Sequence, residues 1–127
     1  MHNTGKYIVI LFNLGGPDAL DAVEPFLFNL FSDHDIFKIP FGQNLFAKIM
    51  SRCRAPKISQ RYRQIGGKSP INELTELQRS MLEHELKKTA SDLKVYTAMR
   101  YWHPTIRQVA EKTADSPVDK IVLLPLT

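Results

Sequence analysis

A phenol, two guanidinium-or-ammonium cations and a hydroxyl fall within ten residues, in Tyr62-Arg63-Gln64-Ile65-Gly66-Gly67-Lys68-Ser69-Pro70-Ile71. Such groups recognise anions: the cations pair with carboxylate or phosphate, and the hydroxyls add hydrogen bonds. Gly66 and Gly67 can take positive φ without steric cost. Pro70 fixes its own φ and biases Ser69 toward extended geometry. The stretch therefore predicts a tight, exposed corner, although the same punctuation would serve a plain polar connection between helices. Two nucleotide readings fail. Gly67-Lys68-Ser69 ends like a phosphate-binding P-loop, but that motif needs a glycine where Tyr62 stands and a strand before it. The G-x-G-x-x-G pattern is absent from the chain.

Two further segments carry chemistry. Asn13-Leu14-Gly15-Gly16 and Arg100-Tyr101-Trp102-His103 each follow an apolar run that reads as a strand. Parallel strands open on one sheet edge, and α/β proteins bind ligands there. The Tyr62–Ser69 corner is expected to fold over that edge. A site made of Arg54, Tyr62, Arg63, Ser69, Arg100 and Tyr101 would be basic and aromatic. It would suit a flat, apolar ligand with carboxylate arms. Tyr101 and Trp102 read equally well as core, and His103 before Pro104 as a helix-start residue. His2, His34 and His84 lack metal-site spacing. No carboxylate pair is placed for acid–base work, and no nucleophile stands beside a base.

Eight cations, Lys38, Lys48, Arg52, Arg54, Lys57, Arg61, Arg63 and Lys68, lie between Asp35 and Glu73 with no acidic residue among them. The whole chain carries only +4, so this interval is a distinct basic surface, for an anion or simply for solvent. It lacks a nucleic-acid motif and an interleaved aromatic platform, so no nucleic-acid partner is expected. The 127 residues suffice for one domain with a core. The longest apolar run, Tyr7 to Phe12, is too short for a bilayer span or a signal-peptide core. The single Cys53 cannot form an internal disulfide, which agrees with a reducing, cytoplasmic location.

The elements that must position these residues follow from pattern. Residues 1–5 read as an irregular start and 6–13 as a strand buried on both faces. A helix begins at Asp18 or Asp21, with Ala22, Val23, Phe26, Leu27 and Leu30 inward. In Ile36 to Met50, residues Ile36, Phe37, Ile39, Phe41, Leu45, Phe46, Ile49 and Met50 are apolar and the only charges are lysines. The segment reads as core, or as an apolar lip around a ligand or against a membrane. Pro56 is expected to open a helix to Ile65, and Asn72 or Thr75 to cap another whose buried stripe is Leu77, Met81, Leu82 and Leu86. A strand over 95–99, a helix after Pro104 with Ile106, Val109 and Ala110 inward, and a strand over 120–126 complete the order. This is an α/β layout with a parallel sheet. A last strand with no helix after it suggests that the polypeptide continues or that another chain completes the fold.

Five segments in order resemble the ferrochelatase family, enzymes that insert ferrous iron into a porphyrin. They are Leu11-Phe12-Asn13-Leu14-Gly15-Gly16-Pro17, residues 26–33, residues 62–71, Met99-Arg100-Tyr101-Trp102-His103-Pro104, and Leu124-Pro125-Leu126. The resemblance implies two similar flavodoxin-like domains, helices on both faces of each sheet, with a porphyrin cleft between them. This chain, residues 1–127, looks like the first domain only. By the same resemblance Leu14 would contact the macrocycle, Arg54 and Ser69 would hold propionates, and Tyr62, Arg100 and Tyr101 would line the pocket. The 36–50 segment would form the lip, with possible peripheral membrane contact. The substrate would be protoporphyrin IX, the product protohaem, and ferrous iron a substrate, with no cofactor or metal held by this half. The family's catalytic histidine and glutamate lie in the second domain, the chain's expected partner; His103 is not that histidine. The 127 residues alone are thus expected to be inactive. The rival reading is a non-catalytic, porphyrin-binding or partner-docking half-domain. One departure stands out: the family's third glycine before Ser-Pro is Lys68 here.

Overall fold

The computed structural model describes residues 4–126. Most of the expected irregular start, and His2, lie outside them. Contacts divide the chain into two compact units, Met1–Gly15 with Ile71–Thr127, and Gly16–Pro70.

The first unit is built on three parallel strands in the order β2-β1-β3: β1 Tyr7–Asn13, β2 Leu93–Met99 and β3 Lys120–Pro125. Alternate side chains of β1 face opposite ways, and both sets are buried. Val9 and Leu11 pack with Leu93 and Val95 under Leu82 and Leu86 of α3, Ile71–Leu86. Ile8 and Ile10 pack with Ala98 and with Val109 of α4, Ile106–Thr113. Helices thus cover both faces, as an α/β domain with a continuous apolar central strand requires. α4 begins at a capping box: Gln108 N–H donates to Thr105 Oγ1, and Thr105 N–H donates to Gln108 Oε1. β3 differs from the other strands, because every one of its residues is exposed.

Two helix faces depart from the periodicity reading. On α3, Leu77 and Met81 are exposed, and the buried line runs instead through Thr75, with Leu82 and Leu86 partly buried beyond it. On α4, Val109 and Thr113 face inward while Ile106 and Ala110 are exposed. Both threonines donate to the carbonyl one turn back, Ile71 for Thr75 and Val109 for Thr113, so each can be buried without an unpaired hydroxyl.

The outer edge of β2 is sealed by side chains. Val95 N–H donates to Glu83 Oε2 at 2.8 Å, and Val95 C=O accepts from Arg79 at 3.1 Å. The Val95 N–H, and then Lys87 and Arg79, hold the Glu83 carboxyl below its ordinary value. The bond is therefore fully present above the unfolded glutamate's pKa of about 4.3, and is lost as pH falls through the lower folded value. Glu83→Gln should lower stability by roughly 1 kcal/mol at neutral pH, and the gap between the two proteins should close in acid. Urea midpoints at pH 7 and pH 3 check this; a gap that does not narrow between them contradicts it.

The second unit is helical. A 3-10 turn, Leu20–Ala22, leads into α1, Val23–Phe31, and the 21-residue α2 spans Gln43–Arg63. Val23, Leu27, Phe31 and Ala47 form its core, with Phe26, Phe28, Phe37, Phe46, Met50, Ala55, Ile58 and Tyr62 packed around them. Pro56 does not open a helix: it lies inside α2. It brings no N–H to the Arg52 carbonyl, a loss usually worth about 3 kcal/mol in a helix interior. The apolar line through Ala55, Ile58 and Tyr62 continues the packing across it.

Candidate functional site

In the first unit the chain passes beyond the carboxyl ends of β1 and β2 in step. Arg100 N–H donates to Asn13 C=O at 3.0 Å, and Tyr101 N–H donates to Leu14 C=O at 3.0 Å. These bonds bring Leu14, Arg100 and Tyr101 together. Leu14 is 41% exposed, whereas Tyr101 is buried and its ring lies 5.4 Å from the exposed Arg100 guanidinium carbon. The arrangement offers an accessible aliphatic surface beside a cation that rests on an aromatic face. Gly15, φ +83°, makes the close approach possible: a Cβ there would stand 3.1 Å from Trp102 Cβ and 3.2 Å from Met99 Cβ.

His103 is exposed, joined to Pro104 by a cis peptide, with its ring edge-on to Trp102 at 5.1 Å. Its Nδ1 approaches Gln108 Oε1 at 3.5 Å. Among the described residues no three His, Cys, Asp or Glu side chains gather to hold a metal ion.

In the second unit the glycine corner forms as read. Gly66 and Gly67 take φ of +99° and +83°. Gly67 N–H donates to Tyr62 C=O at 2.7 Å, and Ser69 N–H donates to Pro17 C=O at 2.8 Å. Tyr62 is half-buried, and Ser69 is buried beside the exposed Lys68. Among the described residues only glycines have positive φ, so Lys68 stands where a side chain costs nothing conformationally. Arg54 lies on the same helix as Tyr62 but two turns earlier and about 80° round the axis. It is exposed, and with Cys53, Lys57, Ile58 and Arg61 it lines a hollow of about 140 Å³.

The 36–50 segment is partly core and partly exposed. Phe37 packs on Phe31 and Phe46 at 5.0 and 6.1 Å. Ile36, Phe41, Leu45 and Ile49 are more than half exposed, Phe41 at 92%. The sequence reading missed what holds this segment in place. Gln43 Nε2 donates to the carbonyls of Phe31 and Phe37 at 2.8 and 2.9 Å, and its Oε1 meets His34 Nδ1 at 2.9 Å. A glutamine at a helix start gives no local signal for bonds that reach twelve residues back.

No helix among the described residues is long and apolar enough to cross a membrane.

Comparison with known proteins gives these features a family. The Ferrochelatase family model matches residues 6–127. A ferrochelatase of Aquifex aeolicus is 48% identical over 118 residues, covering 93% of this chain and 37% of its own length. One of Synechocystis sp. is 44% identical over 124 residues, covering 96% and 32%. The chloroplastic ferrochelatase-2 of Oryza sativa subsp. japonica is 44% identical over 125 residues, covering 95% and 24%. The chain thus spans about a third or less of these relatives' lengths.

Proposed function

Because this chain belongs to the ferrochelatase family, with its implied role in haem biosynthesis, we propose that it supplies porphyrin-binding residues for inserting ferrous iron into protoporphyrin IX. The observation that supports this reading at residue level is the strand-end group, in which exposed Leu14 stands beside the Arg100–Tyr101 pair. Leu14 would pack on the macrocycle, and Tyr62, Arg100 and Tyr101 would line the pocket. Arg54 and Ser69 would hold the propionates; a guanidinium pairs with a carboxylate through a charge-assisted hydrogen bond. No cofactor is assigned to these residues, and iron is a substrate.

The reaction is a balanced exchange: two pyrrole N–H protons leave as one Fe²⁺ enters, giving protohaem. It is classed with the lyases. A planar macrocycle shields its nitrogen lone pairs, so fixed groups that hold the ring at its rim and press on its face help it deform. The chain's own residues would orient and hold the porphyrin. The base that accepts the protons, and the route for iron, would come from a second ferrochelatase domain as partner. The chain would work in the cytoplasm, with Phe41, Leu45 and Ile49 touching a membrane surface.

Titration of the chain with a metal-free dicarboxylic porphyrin, followed by absorbance and fluorescence, tests the assignment. Saturable binding is expected, with Arg54→Ala and Ser69→Ala each weakening it by about 10- to 150-fold, the range for a lost hydrogen bond to a charged group. Undiminished binding by both variants would remove the propionate roles. The chain alone should not insert iron, and iron-dependent turnover by it would overturn the assignment of the base to a second domain.

A further inference from the structure

Leu14 lies one residue past the end of β1, where the ladder no longer supplies a partner for its N–H. A side chain does so instead. Leu14 N–H donates to Asn13 Oδ1 at 2.8 Å, Asn13 Nδ2 donates to Thr75 Oγ1 at 3.1 Å, and Thr75 Oγ1 donates to the Ile71 carbonyl at 2.6 Å. The run has one direction. Thr75 has a single hydroxyl proton and gives it to Ile71, so toward Asn13 it can only accept. That fixes the Asn13 amide, with its nitrogen toward Thr75 and its oxygen toward Leu14. Thr75 is 1% exposed, so the run is anchored in the packed interior at the first turn of α3. On its other side Leu14 C=O accepts from Tyr101 N–H. Both polar groups of the Leu14 backbone are therefore held, while its side chain stays accessible.

We infer that Asn13 and Thr75 are positioning residues, which hold the Leu14 backbone so that its side chain is presented to the porphyrin in one orientation. The inference rests on the porphyrin reading above. Neither residue need touch the ligand: Thr75 is buried, and both arms of the Asn13 amide are engaged. A preorganised apolar surface binds more tightly because less freedom is lost on binding. Aspartate cannot replace Asn13. It would present an acceptor to Thr75, whose only proton would then have to leave Ile71.

The test pairs two measurements on the 127-residue chain: Leu14 amide hydrogen exchange by NMR, and titration with a metal-free dicarboxylic porphyrin. Thr75→Val keeps the side chain's shape and removes the hydroxyl. It should speed Leu14 exchange and weaken porphyrin binding, each by about 3- to 10-fold, the worth of one hydrogen bond. Thr75→Ser should restore both. Asn13→Ala, at a partly exposed position, gives a second route should the valine variant fold poorly. The Asn13→Ala/Thr75→Val double variant should lose little more than either alone, because the two act as one run. Wild-type exchange and affinity in Thr75→Val, or full additivity in the double variant, overturns the inference. A wild-type chain that binds no porphyrin, while exchange responds as described, instead refutes the porphyrin reading.

Discussion

Gly15→Val should destabilise the first unit by about 2–5 kcal/mol, the largest single-residue effect we expect in the strand-end group. Two costs add. Gly15 has φ +83°, a region that β-branched residues avoid, and the added Cβ would press on Trp102 Cβ at 3.1 Å and Met99 Cβ at 3.2 Å. Neither neighbour yields easily, since both contacts fall on first side-chain carbons rather than flexible ends. Gly66→Ala separates the two costs: Gly66 has φ +99° with nothing within 4 Å of an added Cβ, so it bears the backbone term alone. Gly15→Ala should accordingly cost more than Gly66→Ala. The chain's single tryptophan, Trp102, abuts Gly15, so urea unfolding followed by its fluorescence reads the first unit directly. Equal costs for the two alanine variants would show that the close approach carries no energy.

The second large effect concerns the exposed apolar side chains of the 36–50 segment. Phe41, Leu45 and Ile49 recur at intervals of four, exposed, with Lys38, Lys48 and Arg52 near them in sequence and no acid between Asp35 and Glu73. Exposed apolar side chains in a basic stretch of chain suit an anionic lipid surface. Burying a phenylalanine and a leucine contributes roughly 1.5–3 kcal/mol each, so Phe41→Ser with Leu45→Ser should lower vesicle binding by about a hundredfold or more. Both residues point away from the packed core of their unit, so the fold should survive. Sedimentation with phosphatidylglycerol vesicles measures the change, and added salt should weaken the wild-type chain through its cations. A wild-type chain that stays in the supernatant would remove the membrane contact. Binding undiminished in the double variant would move it to another surface.

The central strand β1 was legible because a parallel strand buried on both faces leaves a continuous apolar run, as Tyr7–Phe12 does. The glycine corner was legible because positive φ leaves few choices of residue. Helix faces were less so. α3 carries two lines: Leu74, Leu77 and Met81, which are exposed, and Thr75, Leu82 and Leu86, which turn to the sheet. The more apolar line looks like the buried one, and the threonine that closes its own hydroxyl on a carbonyl disguises the other. α2 was cut short at Pro56, because a local rule for proline cannot weigh the packing of Ile58 and Tyr62 beyond it. Within the site, the backbone pairing of Leu14 with Tyr101 followed from parallel strand ends. The amide work of Asn13 and Gln43 joins residues far apart in sequence, which no local pattern records.

The seal on Val95 bears on how copies of this chain could associate. Glu83 and Arg79 occupy the bonding groups that an incoming strand would need beside β2. Among the described residues β3 forms the opposite edge, with all its residues exposed. Another strand could pair beside β2 only by breaking both side-chain bonds to Val95.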